Sequence, residues 1–143
     1  MGVQQVSIFL ENKAGRLAEV SRILGQGNIN IRALSVADTK DYGILRIIVD
    51  DPARTVELLV EHGFSASQTE VIAVEVPDHP GGLAEVLEIL QAEKINVEYM
   101  YAFVEKASDD ALVIFRVGDP NQATAVLAAA GINVIPAENL YQL

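Results

Sequence analysis

The stretch Gly15-Arg-Leu-Ala-Glu-Val20 returns 66 residues later as Gly81-Gly-Leu-Ala-Glu-Val86. The correspondence continues at Ile29-Asn-Ile31, which matches Ile95-Asn-Val97. Past residue 40 the offset becomes 68, and there Asp51-Pro52 matches Asp119-Pro120. The chain therefore duplicates one unit of about 70 residues, a size that folds on its own but only marginally. We expect one domain over residues 1–70 and a second over residues 71–143.

Each repeat predicts the order strand–helix–strand–strand–helix–strand. Residues Val6, Ile8 and Leu10 alternate with Ser7 and Phe9, the period of a strand. The first helix is expected to bury Leu17, Val20, Ile23 and Leu24 and to end at Gly25–Asn28. Two strands follow, one from about Asn30 and one over Ile44–Val49. The second helix is expected to start at Pro52, bury Val56, Leu59 and Val60 and end at Gly63, and a weak strand over Phe64–Thr69 completes the repeat.

The second repeat predicts the same elements at Val71–Val76, Leu83–Leu90, Val97–Val104, Ala111–Val117, Asn121–Ala130 and Ile132–Pro136. This order predicts an α+β fold of two tandem ferredoxin-like βαββαβ units, each an antiparallel sheet with its helices on one face.

In the third strand of the first repeat, Ile44, Arg46 and Ile48 alternate with Leu45, Ile47 and Val49. Both faces of this strand are therefore largely apolar. A sheet face in contact with water is mostly polar, so we expect something to cover the face opposite the helices, which we call the second face. We predict close pairing of the repeats and a homodimer or higher oligomer of chains.

The composition excludes several classes of function. The absence of cysteine removes thiolate catalysis and cysteine-ligated zinc. A net charge of −10 opposes nucleic-acid binding, and no apolar run reaches the length of a membrane span. The expected location is cytoplasmic. The charge is uneven, with 7 Lys/Arg against 9 Asp/Glu in residues 1–70 and 3 against 11 in residues 71–143. The acidic residues of the second repeat can simply form a solvated surface. Alternatively, the two repeats have diverged in the ligands or partners that they face.

Two motifs occur once in each repeat. Asn12-Lys-Ala-Gly-Arg-Leu17 and Asp78-His-Pro-Gly-Gly-Leu83 resemble the Asp-x-Pro-Gly-x-Leu signature of ACT domains, and Asn28-Ile-Asn-Ile31 and Lys94-Ile-Asn-Val97 resemble the second hallmark of that family. The resemblance covers nearly the whole chain and implies a free-standing pair of regulatory modules that bind an amino acid or similar small metabolite between paired domains. It also implies a partner, an enzyme of amino-acid metabolism, that responds to the ligand. The implied ligand-binding residues are Asn12, Lys13, Ala14, Gly15, Arg16, Leu17, Asn30 and Ile31 in the first repeat and Asp78, His79, Pro80, Gly81, Gly82, Leu83, Asn96 and Val97 in the second.

The residues support such a site independently. A helix start offers unpaired N–H groups and the positive end of the dipole to a carboxylate, and a glycine there lets the ligand approach the backbone. By resemblance, the turn residue Asn12 or Asp78 and the strand-two asparagine of a neighbouring unit clamp one amino acid. Each of these residues can also have a purely structural role. Asn12 and Asp78 can cap the helix N-termini, the glycines can permit the turns, and Asn30 and Asn96 can form hydrogen bonds with loop backbone.

The two repeats differ at the predicted sites. The first turn has Ala14 where the family prefers proline, and its neutral Asn12 is flanked by Lys13 and Arg16, whereas the second has Asp78. From this contrast we predict that the second site prefers zwitterions while the first tolerates ligands without an ammonium group. The second repeat also places Tyr99, Tyr101 and Phe103 where the first has Ala33, Ser35 and Ala37. Such aromatics fill a core or an interface, or line a ligand pocket.

Catalysis has little support in the sequence. The two histidines, His62 and His79, stand in no recognisable triad order, and we predict no metal and no cofactor. Two classes remain open. The first is a sensor that changes the activity of a partner, and the second is an assembly or regulatory subunit whose ACT surfaces mediate protein association without sensing a ligand.

Overall fold

A computed structural model describes residues 2–38, 40–103 and 110–141 of the chain. The chain divides into two compact units, Gln4–Thr69 and a combination of Met1–Val3 with Glu70–Leu143. We call them the N-terminal unit and the C-terminal unit and describe each by itself.

The N-terminal unit contains the six predicted elements in the predicted order. They are β1 (Val3–Glu11), α1 (Arg16–Gln26), β2 (Ile31–Asp38), β3 (Tyr42–Val49), α2 (Pro52–Glu61) and β4 (Ser65–Val76), of which β4 contributes residues to both units. The strand order is β2-β3-β1-β4, and β3 pairs antiparallel with both β1 and β2. This arrangement confirms the ferredoxin-like fold.

The C-terminal unit repeats this plan with a modified end. After the second half of β4 come α3 (Gly82–Ala92), β5 (Val97–Ala102), β6 (Ala111–Val117), α4 (Pro120–Ala129), β7 (Val134–Ile135) and the short helix α5 (Ala137–Leu140). The strand order is β7-β4-β6-β5. The strand predicted over 132–136 is only two residues long, since Pro136 cannot donate to the ladder and is instead the N-cap of α5. The predicted strand end at Val104 lies outside the described residues.

Alternation along the strands builds the core of each unit. Val6, Ile8 and Leu10 of β1 are all buried, and β3 presents Leu45 and Ile47 beside them. Phe115 is fully buried in the corresponding cluster of the C-terminal unit. The predicted inward faces of the strands are therefore confirmed.

Two predicted core residues of the N-terminal unit are exposed instead. The exposed fraction of Leu17 is 46% and that of Val60 is 54%. Leu17 lies in the first turn of α1, where it lines a surface depression rather than the core. On α2 the buried residues are Thr55 and Leu59, one turn apart, and Val60 is rotated about 100° from Leu59.

Helix ends follow the predicted turn chemistry. The Asp51 carboxylate accepts a hydrogen bond from the Arg54 N–H at 3.2 Å, and Gly63 ends α2 with a φ of 86°. After α1 the positive φ falls on Asn28, at 59°, within the stretch Gly25–Asn28 that was predicted to end the helix. Asparagine tolerates this conformation because its short polar side chain bonds locally.

Some residues on the sheet faces opposite the helices are buried. They are Ala33 and Ile48 in the N-terminal unit and Leu112 and Ile114 in the C-terminal unit. On the same face of the N-terminal unit, Phe9 pairs with Ile44 and is 50% exposed. The expectation that this face is covered stays a prediction.

Candidate ligand-binding site

A glycine begins the first helix of each unit. Gly15 precedes α1 with a φ of 90° and Gly81 precedes α3 with a φ of 88°, and neither helix has a side-chain cap. The N-cap interpretation of Asn12 and Asp78 is therefore wrong. The Asn12 side chain instead donates to the carbonyl oxygen of Lys40 at 3.3 Å. We call residues 12–15 the first turn and residues 78–81 the second turn.

The helix starts leave backbone donors exposed. In α1 the N–H of Arg16 donates to the Lys13 carbonyl at 3.4 Å, and that of Glu19 donates to the Gly15 carbonyl at 2.9 Å. Between them, no acceptor within the described part of the chain meets the N–H groups of Leu17 and Ala18. Such donors at the positive end of a helix suit a carboxylate.

The C-terminal unit shows the same pattern at α3. The N–H of Gly82 donates to the His79 carbonyl at 2.9 Å, and that of Glu85 donates to the Gly81 carbonyl at 3.0 Å. Leu83 and Ala84 lie between them and, among the described residues, their N–H groups have no acceptor. The duplicated sequence motif thus produces a duplicated set of two free donors.

Arg16 organises the charges around the first turn. Its guanidinium contacts Glu11 at 2.9 Å (Nη2–Oε1) and Glu19 at 3.1 Å (Nη1–Oε2), and it lies 5.6 Å from the centre of the Phe64 ring. The Lys13 ammonium is 3.6 Å from Glu11. These are exposed pairs, so each adds little to stability.

The ion pairs keep both partners charged. Hydrogen bonding to Arg16, followed by the charge of Lys13, holds the pKa of Glu11 below its usual range. Hydrogen bonds to Glu11 and then Glu19 raise the pKa of Arg16. A carboxyl group with a lowered pKa stabilises the fold above its unfolded pKa, and this contribution is lost as the pH falls through the folded pKa. Glu11 is therefore an anion at neutral pH.

Two surface depressions flank the Glu11–Arg16 pair. The first, which we call the turn pocket, has a volume of about 160 Å³ and is lined by Leu10, Glu11, Asn12, Lys13, Arg16, Leu17, Val36 and Gly43. The second, which we call the aromatic pocket, has about 210 Å³ and is lined by Phe9, Leu10, Glu11, Arg16, Tyr42, Gly63, Phe64 and Ser65. Leu10, Glu11 and Arg16 line both, so the pockets adjoin.

Most of these residues were not identified from the sequence as parts of a site, among them Glu11, Phe9, Tyr42 and Phe64. Glu11 precedes the recognised motif by one residue, and Phe9, Tyr42 and Phe64 lie on three separate elements or connections. The signal that would have found Tyr42 is strand register, because Glu11 pairs with Tyr42 across β1 and β3. The carboxylate of Glu11 also changes the expected contrast between the sites, since the first turn is not without an anion.

The second turn is built more tightly. A Cβ atom at Gly82 would collide with the Pro77 carbonyl oxygen, so this position requires glycine where the first unit has Arg16. His79 Nδ1 lies 3.1 Å from the carbonyl oxygen of Pro80, and Leu83 is 36% exposed. The difference between the repeats at this position is therefore steric as well as electrostatic.

Within one unit, the structure does not bring the strand-two asparagine to the turn. Asn30 precedes β2, near the β3 end where Ile31 pairs with Val49, and its N–H donates to Asp50 at 3.3 Å. The first turn follows β1 and lies beside the opposite end of β3, where Glu11 pairs with Tyr42. In the C-terminal unit, Asn96 and Asp78 are separated in the same way, because Val97 pairs with Val117 and Val76 with Ala111.

Residues 2–38, 40–103 and 110–141 contain no group of three or more His, Asp or Glu side chains arranged to hold a metal ion. None of the helices there combines the length and hydropathy needed to cross a bilayer.

Comparison with known proteins gives a family and a fold. A family model described as an ACT domain pair matches residues 1–143. Protein BT0572 from Bacteroides thetaiotaomicron is similar over 100% of this chain and 98% of its own, with 40% sequence identity and a TM-score of 0.91. The ligand-free regulatory subunit of aspartate kinase from Thermus thermophilus is similar over 91% of this chain and 93% of its own, with 17% identity and a TM-score of 0.65. Aspartate kinase from Synechocystis is similar over 95% of this chain and 27% of its own, with 17% identity and a TM-score of 0.64.

Proposed function

The chain belongs to the ACT domain pair family, and on this basis we propose that it is a non-catalytic regulatory protein whose helix-start turns bind an amino acid or similar small metabolite. The bound ligand alters the activity of a partner in amino-acid metabolism. The fold shared with the regulatory subunit of aspartate kinase from Thermus thermophilus is in keeping with a regulatory role.

The observation that carries this proposal is the pair of free donors at each helix start. Leu17 and Ala18 in α1, and Leu83 and Ala84 in α3, offer N–H groups behind a glycine that adds no side chain. A Cβ at Gly15 or Gly81 would meet no atom within 4 Å, so the space beside each glycine is open to a ligand. The α-carboxylate of an amino acid is the group that such donors recognise.

The predicted asparagine clamp needs a second domain. Since Asn30 lies at the other end of the sheet from its own turn, the asparagine that completes a site must come from a neighbouring ACT domain. Its amide offers both a donor and an acceptor to the ligand. This clamp and the cytoplasmic location stay predictions.

A thermal-shift screen against the twenty amino acids tests the proposal. A ligand that binds only the folded state stabilises it by about 2.7 kcal/mol at one hundred times its Kd, so at least one amino acid should raise Tm. Gly15→Ala and Gly81→Ala each add a methyl group to the open space beside one helix start, and the variant with both substitutions should abolish this rise.

Matched controls separate lost binding from lost stability. Gly63 and Gly131 have φ values of 86° and 82°, and a Cβ there also meets open space, but both follow a helix rather than precede one. Gly63→Ala and Gly131→Ala carry the same backbone strain and should keep the ligand-induced rise. An equal loss in all four variants, or no rise with any amino acid, would refute the proposal.

The alternative is an assembly or regulatory subunit that binds no ligand. It is favoured by exposed apolar side chains on β2, where Leu34 is 50% and Val36 47% exposed. Such residues on an edge strand suit association with another protein surface. A protein that gives no thermal shift yet associates through β2 would support this alternative.

A further inference from the structure

We propose that the N-terminal unit selects an aromatic amino acid, with its ring in the aromatic pocket and its ammonium on Glu11. The inference rests on the proposed function, because it names the ligand class of one of the two proposed sites. It also assigns Phe9, Tyr42, Phe64 and Glu11 to ligand recognition.

The walls of the aromatic pocket suit a planar ring. Phe9 and Tyr42 stack with their centroids 5.1 Å apart and an interplanar angle of 23°, yet they are 50% and 48% exposed. Phe64 forms a further wall. The volume of about 210 Å³ exceeds the roughly 150 Å³ of an apolar cavity that accepts benzene. A ligand ring would stack on the exposed pair and remove apolar surface from water.

The polar groups around the two pockets match the ammonium and the carboxylate of an amino acid. The Glu11 side chain is 53% exposed and lines both pockets, so its carboxylate can accept from a ligand ammonium. Leu17 lines the turn pocket next to it. We assign the free N–H groups of Leu17 and Ala18, at the start of the same helix, to the α-carboxylate. A ligand placed across the Glu11–Arg16 pair therefore reaches the aromatic pocket with its side chain and the helix start with its carboxylate.

The C-terminal unit lacks these walls. The repeat places Glu75 at the position of Phe9, Asp110 at that of Tyr42, Ile132 at that of Phe64 and Gly82 at that of Arg16. Two carboxylates in place of the stacked rings offer no surface to an aromatic side chain. The preference for an aromatic ligand is therefore a property of the N-terminal unit alone.

Titration calorimetry with L-phenylalanine, L-alanine and 3-phenylpropanoate tests the inference. Burial of the ring should make L-phenylalanine bind tighter than L-alanine by about tenfold or more. The Phe9→Ala/Tyr42→Ala variant should lose that advantage. Val60→Ala, which removes an exposed apolar residue of α2, is the control and should keep it.

The ammonium contact has its own variant. Wild-type protein should bind L-phenylalanine more tightly than 3-phenylpropanoate, which lacks the ammonium, and Glu11→Gln should bring the two affinities together. Amino-acid binding without an aromatic preference, or a preference that survives Phe9→Ala/Tyr42→Ala, overturns this inference and leaves the proposed function standing. No binding of any amino acid overturns both.

Discussion

At the scale of single residues, the two repeats differ most at the first position of their first helices. Arg16 carries an ion-pair network there, whereas Gly82 packs its backbone against the Pro77 carbonyl oxygen. The sequence aligns these two positions but does not reveal this difference. The reason is that the steric limit at Gly82 arises from the path of the chain at Pro77, which no local pattern records.

Gly82→Ala should destabilise the C-terminal unit. The added methyl group must displace the Pro77 backbone, and overpacking of this kind costs about 1–3 kcal/mol. Urea denaturation measures the loss. Gly118→Ala is the matched control, because a Cβ at Gly118 meets open space and its φ is not positive. Equal stability of Gly82→Ala and wild type would show that the turn relaxes freely.

At the scale of elements, the sequence predicted those with strong local signals. The core faces of β1 and β3 followed from alternation, and the start of α2 followed from Asp51-Pro52. The short helix α5 was missed because four residues are too few to show a helical period. The aromatic pocket was missed because its residues are brought together by strand register and by the connection after α2, not by spacing along the chain.

The caps of α2 and α4 should be worth the same amount of stability. Asp51 accepts from the Arg54 N–H at 3.2 Å and Asp119 from the Gln122 N–H at 3.1 Å. Asp51→Ala and Asp119→Ala should each reduce the free energy of unfolding by about 1 kcal/mol. The matched Asn variants should lose less, because asparagine also caps. Chemical denaturation that finds no loss for either alanine variant would contradict the capping roles.

At the scale of the whole molecule, the oligomer prediction now depends on different residues. Ala33 and Ile48 on the second sheet face are buried, whereas Leu34 and Val36 are exposed on β2, an edge of the sheet order. A net charge of −10 does not favour non-specific association, so pairing must use a defined surface. We expect that surface to include β2.

Sedimentation should therefore find a dimer or larger species of the 15.4 kDa chain at micromolar concentration. Leu34→Lys/Val36→Lys should shift the protein towards the monomer, because charged side chains on an edge strand oppose pairing. Val60→Lys, at an equally exposed apolar position on α2, should leave the assembly unchanged. A wild-type monomer at every concentration would rule out the oligomer.

In the proposed site, the free donors of the two helix starts hold the ligand carboxylate. The most direct measurement follows the backbone amide signals of Leu17, Ala18, Leu83 and Ala84 by NMR while an amino acid is titrated into the protein. We expect at least one of the two pairs, Leu17 with Ala18 or Leu83 with Ala84, to show saturable changes well above those of Gly63 and Gly131. Binding of a ligand that leaves all four of these amides unchanged would rule out the helix starts as the carboxylate site.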